Sequence, residues 1–600
     1  MKKILPGLLF YLVCLPLSAT SLQQNTDRLV NQVDPAINIS ALVLDLSTGE
    51  TLYERNPSRV LIPASNMKLF SDAAALLVLG PDYRFKNQLS TDAPHMENGV
   101  LQGTVYLHLP GDPSFTTANL DSLFAELRRW DIHQIHGNVV LVSSHRYVDP
   151  YAPGWMAEDL TYSYGAPLAP VMLDENRLTV TVNPSSKPGA PALVELSNTD
   201  GSIAVENQVK TASKATGCGL SYTMDAENHL TVRGCIGVGQ WAAIQRMAVR
   251  NPLRYTQAQV RARLAHLGIT LNGQVVLGAA PSQSLLLATH LSKPISQLMA
   301  DTLKPSDNLY ADSLYLHAAS TLHGSPLNWP EAQPVVKAFL QQQTGVSFNQ
   351  AVLTDGSGLS RHDRLSAAQT VGLLQFLHAR FPLAYEYIAA LPVAGQDGTL
   401  QKRLKKPTQQ GLVRAKTGSM TGVVSLSGYL YTANAHTLAF ALYINKKPGT
   451  SPNVSGRYRS LTDGLCDFFL RQKPDNGRVA NLPNAHARVS FQQRPTQAEA
   501  QRNKQSRWRR LELAVKQALK GQPVTVLFRG DQLVLNDQAI NASSVWSALQ
   551  NVNKKYPFSV ALQGQSAPSG NTSMPLLLWI KGNKSADSGG RTWTLRDSAL

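Results

Sequence analysis

The sequence predicts an α+β multidomain protein: an antiparallel sheet flanked by helices, split by a β-rich insertion and followed by a small α+β extension. Three observations predict it. A strand–turn–strand pattern and an apolar helix open the chain (39–79), helical runs and two long strands come later (295–445), and residues 86–285 between them break into short β-prone runs. Six hundred residues are far more than one core needs. The 43% apolar and 16% charged shares exclude a disordered chain. Beyond the N-terminus no apolar run reaches the roughly 18 residues of a spanning helix, which excludes an integral membrane bundle.

Residues 1–20 read as an export signal: Lys2 and Lys3, an apolar stretch from Ile4 to Leu17, then the small-residue exit Ser18-Ala19-Thr20. The stretch is too short for a membrane anchor, and Cys14 lacks the small residues that precede a lipidated cysteine. Ile39 to Leu46 alternates, Ser47-Thr48-Gly49 turns the chain, and Thr51 to Glu54 completes a hairpin. Pro63-Ala64-Ser65 opens a helix over Asn66 to Leu79 that is apolar nearly all round and so belongs in the interior.

From 86 to 285 the runs are short and broken by Gly111-Asp112-Pro113 and Asn183-Pro184, with alternation in Arg177–Val182 and His229–Arg233. This reads as two inserted β-rich domains, about 94–166 and 167–285. Cys218 and Cys235 flank a turn-rich stretch and are candidate disulfide partners in an oxidising compartment, whereas Cys466 in an apolar run reads as a buried thiol. Helical patterns return at Ile295–Ala319 and Ala367–Arg380. Strands follow at Val423–Tyr431 and Thr437–Asn445, the latter continuously apolar and so expected mid-sheet. The main domain is then 21–85 plus 286–470.

Charge separates the tail from the rest. Residues 471–600 hold 19 Lys/Arg against 7 Asp/Glu, so they carry +12 of the net +16. A linker and a basic amphipathic helix (Gln501–Leu519, striped by Trp508, Leu511, Val515 and Leu519) fill 471–522. An accessory domain at 523–600 reads strand, turn, strand, helix, strand over Pro523–Leu562, with 571–600 loose. The basic helix suits anionic lipid or wall polymer, or is simply a solvated helix. Nucleic acid is not an expected partner of an exported chain.

The chemistry is concentrated in three motifs. Ser65-Asn66-Met67-Lys68 is followed in order by Ser306-Asp307-Asn308 and Lys416-Thr417-Gly418. Residues three apart share a helix face, so Ser65 and Lys68 meet without long-range help. A serine hydroxyl needs a neighbouring base, and a lysine serves as one when burial or a second cation, here Lys416, destabilises its ammonium. Ser306 is a candidate proton relay to the leaving amine, and Asn308 a candidate to orient Lys68 and hold a substrate amide. Lys416-Thr417-Gly418 ends a short β run whose free edge can pair with a peptide while Lys416 and Thr417 meet a carboxylate. The N–H groups of Ser65 and Ser419 are oxyanion-hole candidates. Taken one at a time, Ser65 reads equally as a helix cap, Lys68 as solvated, and Lys416-Thr417-Gly418 as a turn. A lysine in so apolar a helix fits a solvated face poorly. Without Cys-x-x-Cys or His-Glu-x-x-His there is no zinc signature, and no metal or cofactor is expected.

These are marks of penicillin-recognising serine enzymes. With Gly111-Asp112-Pro113-Ser114, Tyr151-Ala152-Pro153-Gly154-Trp155 and Asp355-Gly356-Ser357-Gly358-Leu359-Ser360-Arg361, the chain over about 30–470 resembles the class C low-molecular-mass penicillin-binding proteins, the D-alanyl-D-alanine carboxypeptidase/endopeptidases. The resemblance implies a penicillin-binding transpeptidase-like core with two domains inserted between the first two motifs, and paired cysteines in the insertion. It implies a periplasmic acyl-enzyme hydrolase acting on peptidoglycan stem peptides that end in D-Ala-D-Ala or are cross-linked through D-Ala, and inhibited by β-lactams. It also implies that Asp159 and Arg361 help read the diamino acid side chain, with surface salt bridges as the plainer alternative for both. Asp355 is expected to order the wall of the site, and Thr421 departs from the glutamine of some members. The competing functions are an inactive wall-binding scaffold and a β-lactamase. The large insertion argues against the second.

Overall fold

Strand Thr437–Asn445 sits in the middle of the main sheet because both of its faces are covered. Leu438, Phe440, Leu442 and Ile444 point into one apolar cluster, and Ala439, Ala441 and Tyr443 into another. In the computed structural model, residues 17–143, 149–197, 201–447 and 454–471 are described, with the backbone of four further strands after 523. The chain divides into two compact units, 1–477 and 478–600.

In the first unit, strands β1 (Ile39–Asp45), β2 (Thr51–Arg55), β3 (Val413–Met420), β4 (Val423–Tyr431) and β5 (Thr437–Asn445) form an antiparallel sheet in the order β3-β4-β5-β1-β2. Helices α1 (Leu17–Val33) and α6 (Ser455–Leu470) cover one face. On the other side α2 (Lys68–Leu79), α3 (Ile295–Leu303), α4 (Asn308–His323) and α5 (Ala367–His378) share one apolar cluster, and α5 packs against the sheet face itself. The expected helical run 295–319 is thus two helices, broken by a turn in which Ser306 takes a left-handed conformation (φ 67°). Cys466 is buried in α6.

The insertion enters through Lys86–Thr91 and leaves through Leu285–Leu291, and these two strands pair antiparallel. They belong to a five-stranded sheet with Val105–Leu109, Val139–Ser143 and Val275–Gly278. Two three-stranded sheets lie within the insertion, and Cys218 and Cys235 form a disulfide there. The insertion also contains helices Thr117–Arg129 and Pro252–His266, which the β-rich expectation leaves out.

In the second unit, Val524–Arg529, Gln532–Asp537, Arg591–Arg596 and Ser559–Leu562 form a four-stranded antiparallel sheet. Arg591–Arg596 corrects the expectation of a loose C-terminus: its Thr-Trp-Thr-Leu alternation suits a strand, and it pairs on both sides. Residues 1–16 of the expected signal and the expected basic helix 501–519 lie outside the described residues. Among the described residues no helix is long and apolar enough to cross a membrane.

Candidate active site

Ser65 is carried on a 3-10 turn, Ala64–Met67, that runs straight into α2. It is not a helix cap: Pro63 holds that position and the turn has no side-chain cap. Ala64 is forced left-handed (φ 47°), a conformation that costs a residue with a Cβ about 1–2 kcal/mol. Surrounding contacts hold it there. Gly358 (φ 79°) packs so closely that a Cβ on it would lie 1.9 Å from the Ala64 carbonyl oxygen.

Lys68 begins α2 and is fully buried. Its Nζ lies 3.2 Å from Ser65 Oγ, 2.6 Å from Asn308 Oδ1 and 2.7 Å from the Ser357 carbonyl oxygen, so each of its three donors has an acceptor. Burial lowers its pKa to about 8, against the opposing pull of Asp312, Asp355, Asp307 and Asp72. Desolvation is therefore the leading cause that loosens this proton. Burial also pushes the carboxyls of Asp72 and Asp312 well above the usual range.

Lys416 is buried as well, with Nζ 2.8 Å from Ser306 Oγ and 2.7 Å from the Thr417 carbonyl oxygen. Burial, reinforced by the charge of Lys68, holds it well below the ordinary lysine range. Its motif lies within β3 instead of ending a strand, and β3 is the sheet edge. The N–H of Ala415 donates across that edge to Pro392. Because strand residues alternate, the N–H groups of Thr417 and Ser419 face the same open side. Gly418 is required by close packing: a Cβ there would sit 2.1 Å from Ser425 Oγ and 2.8 Å from the Pro63 carbonyl oxygen.

The three motifs thus converge, with both lysines behind a cleft in which Ser65 and Ser306 are half-buried and Ser419 is exposed. Asp355 accepts from the N–H groups of Gly358 (2.6 Å) and Ser360 (2.8 Å) and from Trp155 Nε1 (2.8 Å), which makes it the organiser of the wall behind Lys68. Asp159 and Arg361 stand further out. Asp159 accepts from the Tyr164 hydroxyl at 3.0 Å, and Arg361 donates to the Thr421 carbonyl oxygen at 3.5 Å. Neither contact is an ion pair, and among the described residues none joins the two side chains to each other.

Several residues at the site have no role assigned in the sequence reading. Asn66 Nδ2 donates to the Lys416 carbonyl oxygen (3.2 Å) and to Ser425 Oγ (2.8 Å), tying the first motif to the third. Thr399 Oγ1 receives the Thr417 hydroxyl at 2.8 Å. Asp72 and Asp312 lie four residues after Lys68 and Asn308, one helical turn along, and that spacing was the available signal.

Residues 22–465 match the D-Ala-D-Ala carboxypeptidase 3 (S13) family. The chain belongs to this family. It is a class C low-molecular-mass penicillin-binding protein and a serine peptidase, which sets aside the inactive-scaffold and β-lactamase alternatives. This S13 peptidase is 31% identical over 425 residues to the D-alanyl-D-alanine carboxypeptidase DacB of Haemophilus influenzae, covering 70% of this chain and 88% of that one. It is 30% identical over 488 residues to the D-alanyl-D-alanine carboxypeptidase of Actinomadura sp. strain R39, covering 77% and 88%. The crystal structure of penicillin binding protein 4 (dacB) from Haemophilus influenzae superposes with a TM-score of 0.67 at 30% identity, over 75% of this chain and all of that one. The same Haemophilus protein has been solved with a β-lactam bound (TM-score 0.64). The four-stranded unit lies beyond the S13 match.

Proposed function

We propose that this S13 peptidase cleaves the bond after D-Ala in peptidoglycan stem peptides, both at terminal D-Ala-D-Ala and at cross-links, through an acyl-enzyme on Ser65. The observation that carries the reading is the contact of the fully buried Lys68, through Nζ, with Ser65 Oγ at 3.2 Å. In the neutral amine, the donors to Asn308 and Ser357 remain and the lone pair faces Ser65 Oγ. The hydroxyl proton passes to Nζ as Oγ attacks the carbonyl carbon. The N–H groups of Ser65 and Ser419 receive the oxyanion. Ser306, held by Lys416, relays the proton from Lys68 to the leaving amine, taking one on Oγ as it gives one up, so Lys68 returns to the neutral amine; water then releases the acyl group. Thr417, Ser419 and Lys416 meet the carboxylate of a terminal D-Ala, while Gly418 lets β3 lie close to Ser65. Asp159, Tyr164 and Arg361 at the rim read the diamino acid side chain. Residues 1–20 direct export to the periplasm, and the basic stretch 494–520 makes a peripheral contact with anionic membrane or wall polymer.

Labelled penicillin is expected to attach to the wild type and not to Ser65→Ala; equal labelling of both would reject the nucleophile. Mass spectrometry of purified wall fragments then separates terminal D-Ala release from bridge cleavage. Both products are expected, and intact bridges would restrict the enzyme to carboxypeptidase action.

A further inference from the structure

Arg177 begins a strand of the insertion, yet its side chain reaches the main domain. Its Nη1 and Nη2 lie 2.5 and 2.9 Å from the two carboxylate oxygens of Asp307, a bidentate pair with side chains only 11% and 12% exposed. Nη1 also meets Glu175 (2.7 Å), and Nε donates to the Ser163 carbonyl oxygen (2.8 Å). Asp307 is the N-cap of α4, accepting from the Tyr310 N–H, and the next residue is Asn308, whose Oδ1 holds Lys68. The other end of the Asn308 amide donates to the Tyr164 carbonyl oxygen at 2.7 Å, again in the insertion.

Backbone strain brackets this ion pair. Asp174, Glu175 and Asn176, the three residues before Arg177, are all left-handed (φ 51°, 59° and 50°), and so is Ser306, the residue before Asp307 (φ 67°). The first of these turns is pinned by its own contacts: Asp174 accepts from the Thr117 N–H (2.9 Å) and the Tyr255 hydroxyl (3.0 Å), and Asn176 donates to the Pro167 carbonyl oxygen (3.0 Å). The ion pair is not needed merely to join the two parts, because Ser313 further along α4 already bonds the Gly111 carbonyl oxygen (2.5 Å). What it adds is the placement of the first turn of α4.

We propose that Arg177 is a positioning residue: by clamping Asp307 it fixes Asn308, and through Asn308 the amine of Lys68, so the insertion sets the reactivity of a centre whose reacting groups lie outside it. This rests on the reading of Lys68 as the base. Misplacing a reacting group by about 1 Å costs on the order of a hundredfold in rate.

Acylation by labelled penicillin, kcat and KM on a D-Ala-D-Ala peptide, and thermal melting test it on the full chain. Arg177→Met is expected to acylate about 100-fold more slowly with KM within about twofold, and Arg177→Lys, which keeps charge but loses the fork, to recover part of that loss. Asp307→Asn keeps the helix cap, because asparagine caps as well as aspartate, and removes the charge. If the two residues act through one contact, the double variant Arg177→Met/Asp307→Asn is no slower than Arg177→Met alone. Folded Arg177→Met acylating within about twofold of wild type, or losses that multiply in the double variant, would overturn the inference. A wild type that takes no label would instead reject the nucleophile assignment beneath it.

Discussion

The wall of the cleft built by the main domain and the wall contributed by the insertion are held by different chemistry. In the first, Lys68, Lys416, Asn66, Asp355 and Ser357 are buried and bonded, and two glycines admit backbone contacts too close for any Cβ. In the second, Asp159 and Tyr164 are partly or largely exposed and joined by one hydrogen bond, and among the described residues only Arg177 engages the main domain through a shielded ion pair. The difference teaches that bond-making sits in a close-packed, fully bonded wall, while the insertion's candidate reading residues sit in a more open one. Substitutions in the two walls are expected to separate accordingly.

The largest effect is expected for Lys68→Ala, which removes the base. Acylation by labelled penicillin at neutral pH should fall about a thousandfold, within the span of general-base contributions. Gly418→Ala comes next, since its Cβ must displace Ser425 or the Pro63–Ala64 segment. A stability loss of about 1–3 kcal/mol, read by denaturant melts, is expected with acylation slowed at least about tenfold. At the rim, where Arg361 of the main domain stands apart from the buried groups, Arg361→Ala is expected to raise KM by only about 2- to 5-fold, and more for a stem peptide bearing the diamino acid than for one lacking it. Equal shifts on both peptides would remove Arg361 from substrate reading. Least affected should be catalysis after Cys218→Ser/Cys235→Ser. Opening a disulfide 17 residues apart in sequence is expected to cost about 3 kcal/mol of stability and leave the acylation rate of folded enzyme unchanged.

The same contrast explains what was legible in the sequence. Ser65 and Lys68 are three residues apart on one helical turn, so their meeting is local, and the apolar neighbours of Lys68 already told that it is buried. The hairpin β1–β2 follows alternation and turn residues directly, and strands β4 and β5 follow from their β-prone, largely apolar runs. The break at Ser306 did carry a signal, since Lys304-Pro305-Ser306-Asp307-Asn308 interrupts the apolar pattern with a proline and an N-cap aspartate, but the left-handed turn and the partner of Asp307, Arg177 130 positions earlier, have no local signature. Helix Thr117–Arg129 did carry a signal, the Thr116/Asn119 capping box with Leu120, Leu123, Phe124 and Leu127 on one face, but it lies within β-like texture. Arg177 itself has no motif: an arginine at the head of an alternating strand looks like an ordinary edge residue until Asp307 is brought to it. Of the two causes the sequence offers for a loosened Lys68 proton, burial and a second cation, burial is the leading one.

The pH dependence of acylation tests the central claim most directly. With the amine of Lys68 lowered to about 8, its proton-accepting form grows as pH rises through that value. The acylation rate of the wild type by labelled penicillin should therefore climb with pH to a plateau with its half-point near 8, and Lys68→Ala should lose that limb. A wild-type rate that is flat across this range, or the same limb persisting in Lys68→Ala, would contradict a neutral Lys68 as the base that activates Ser65.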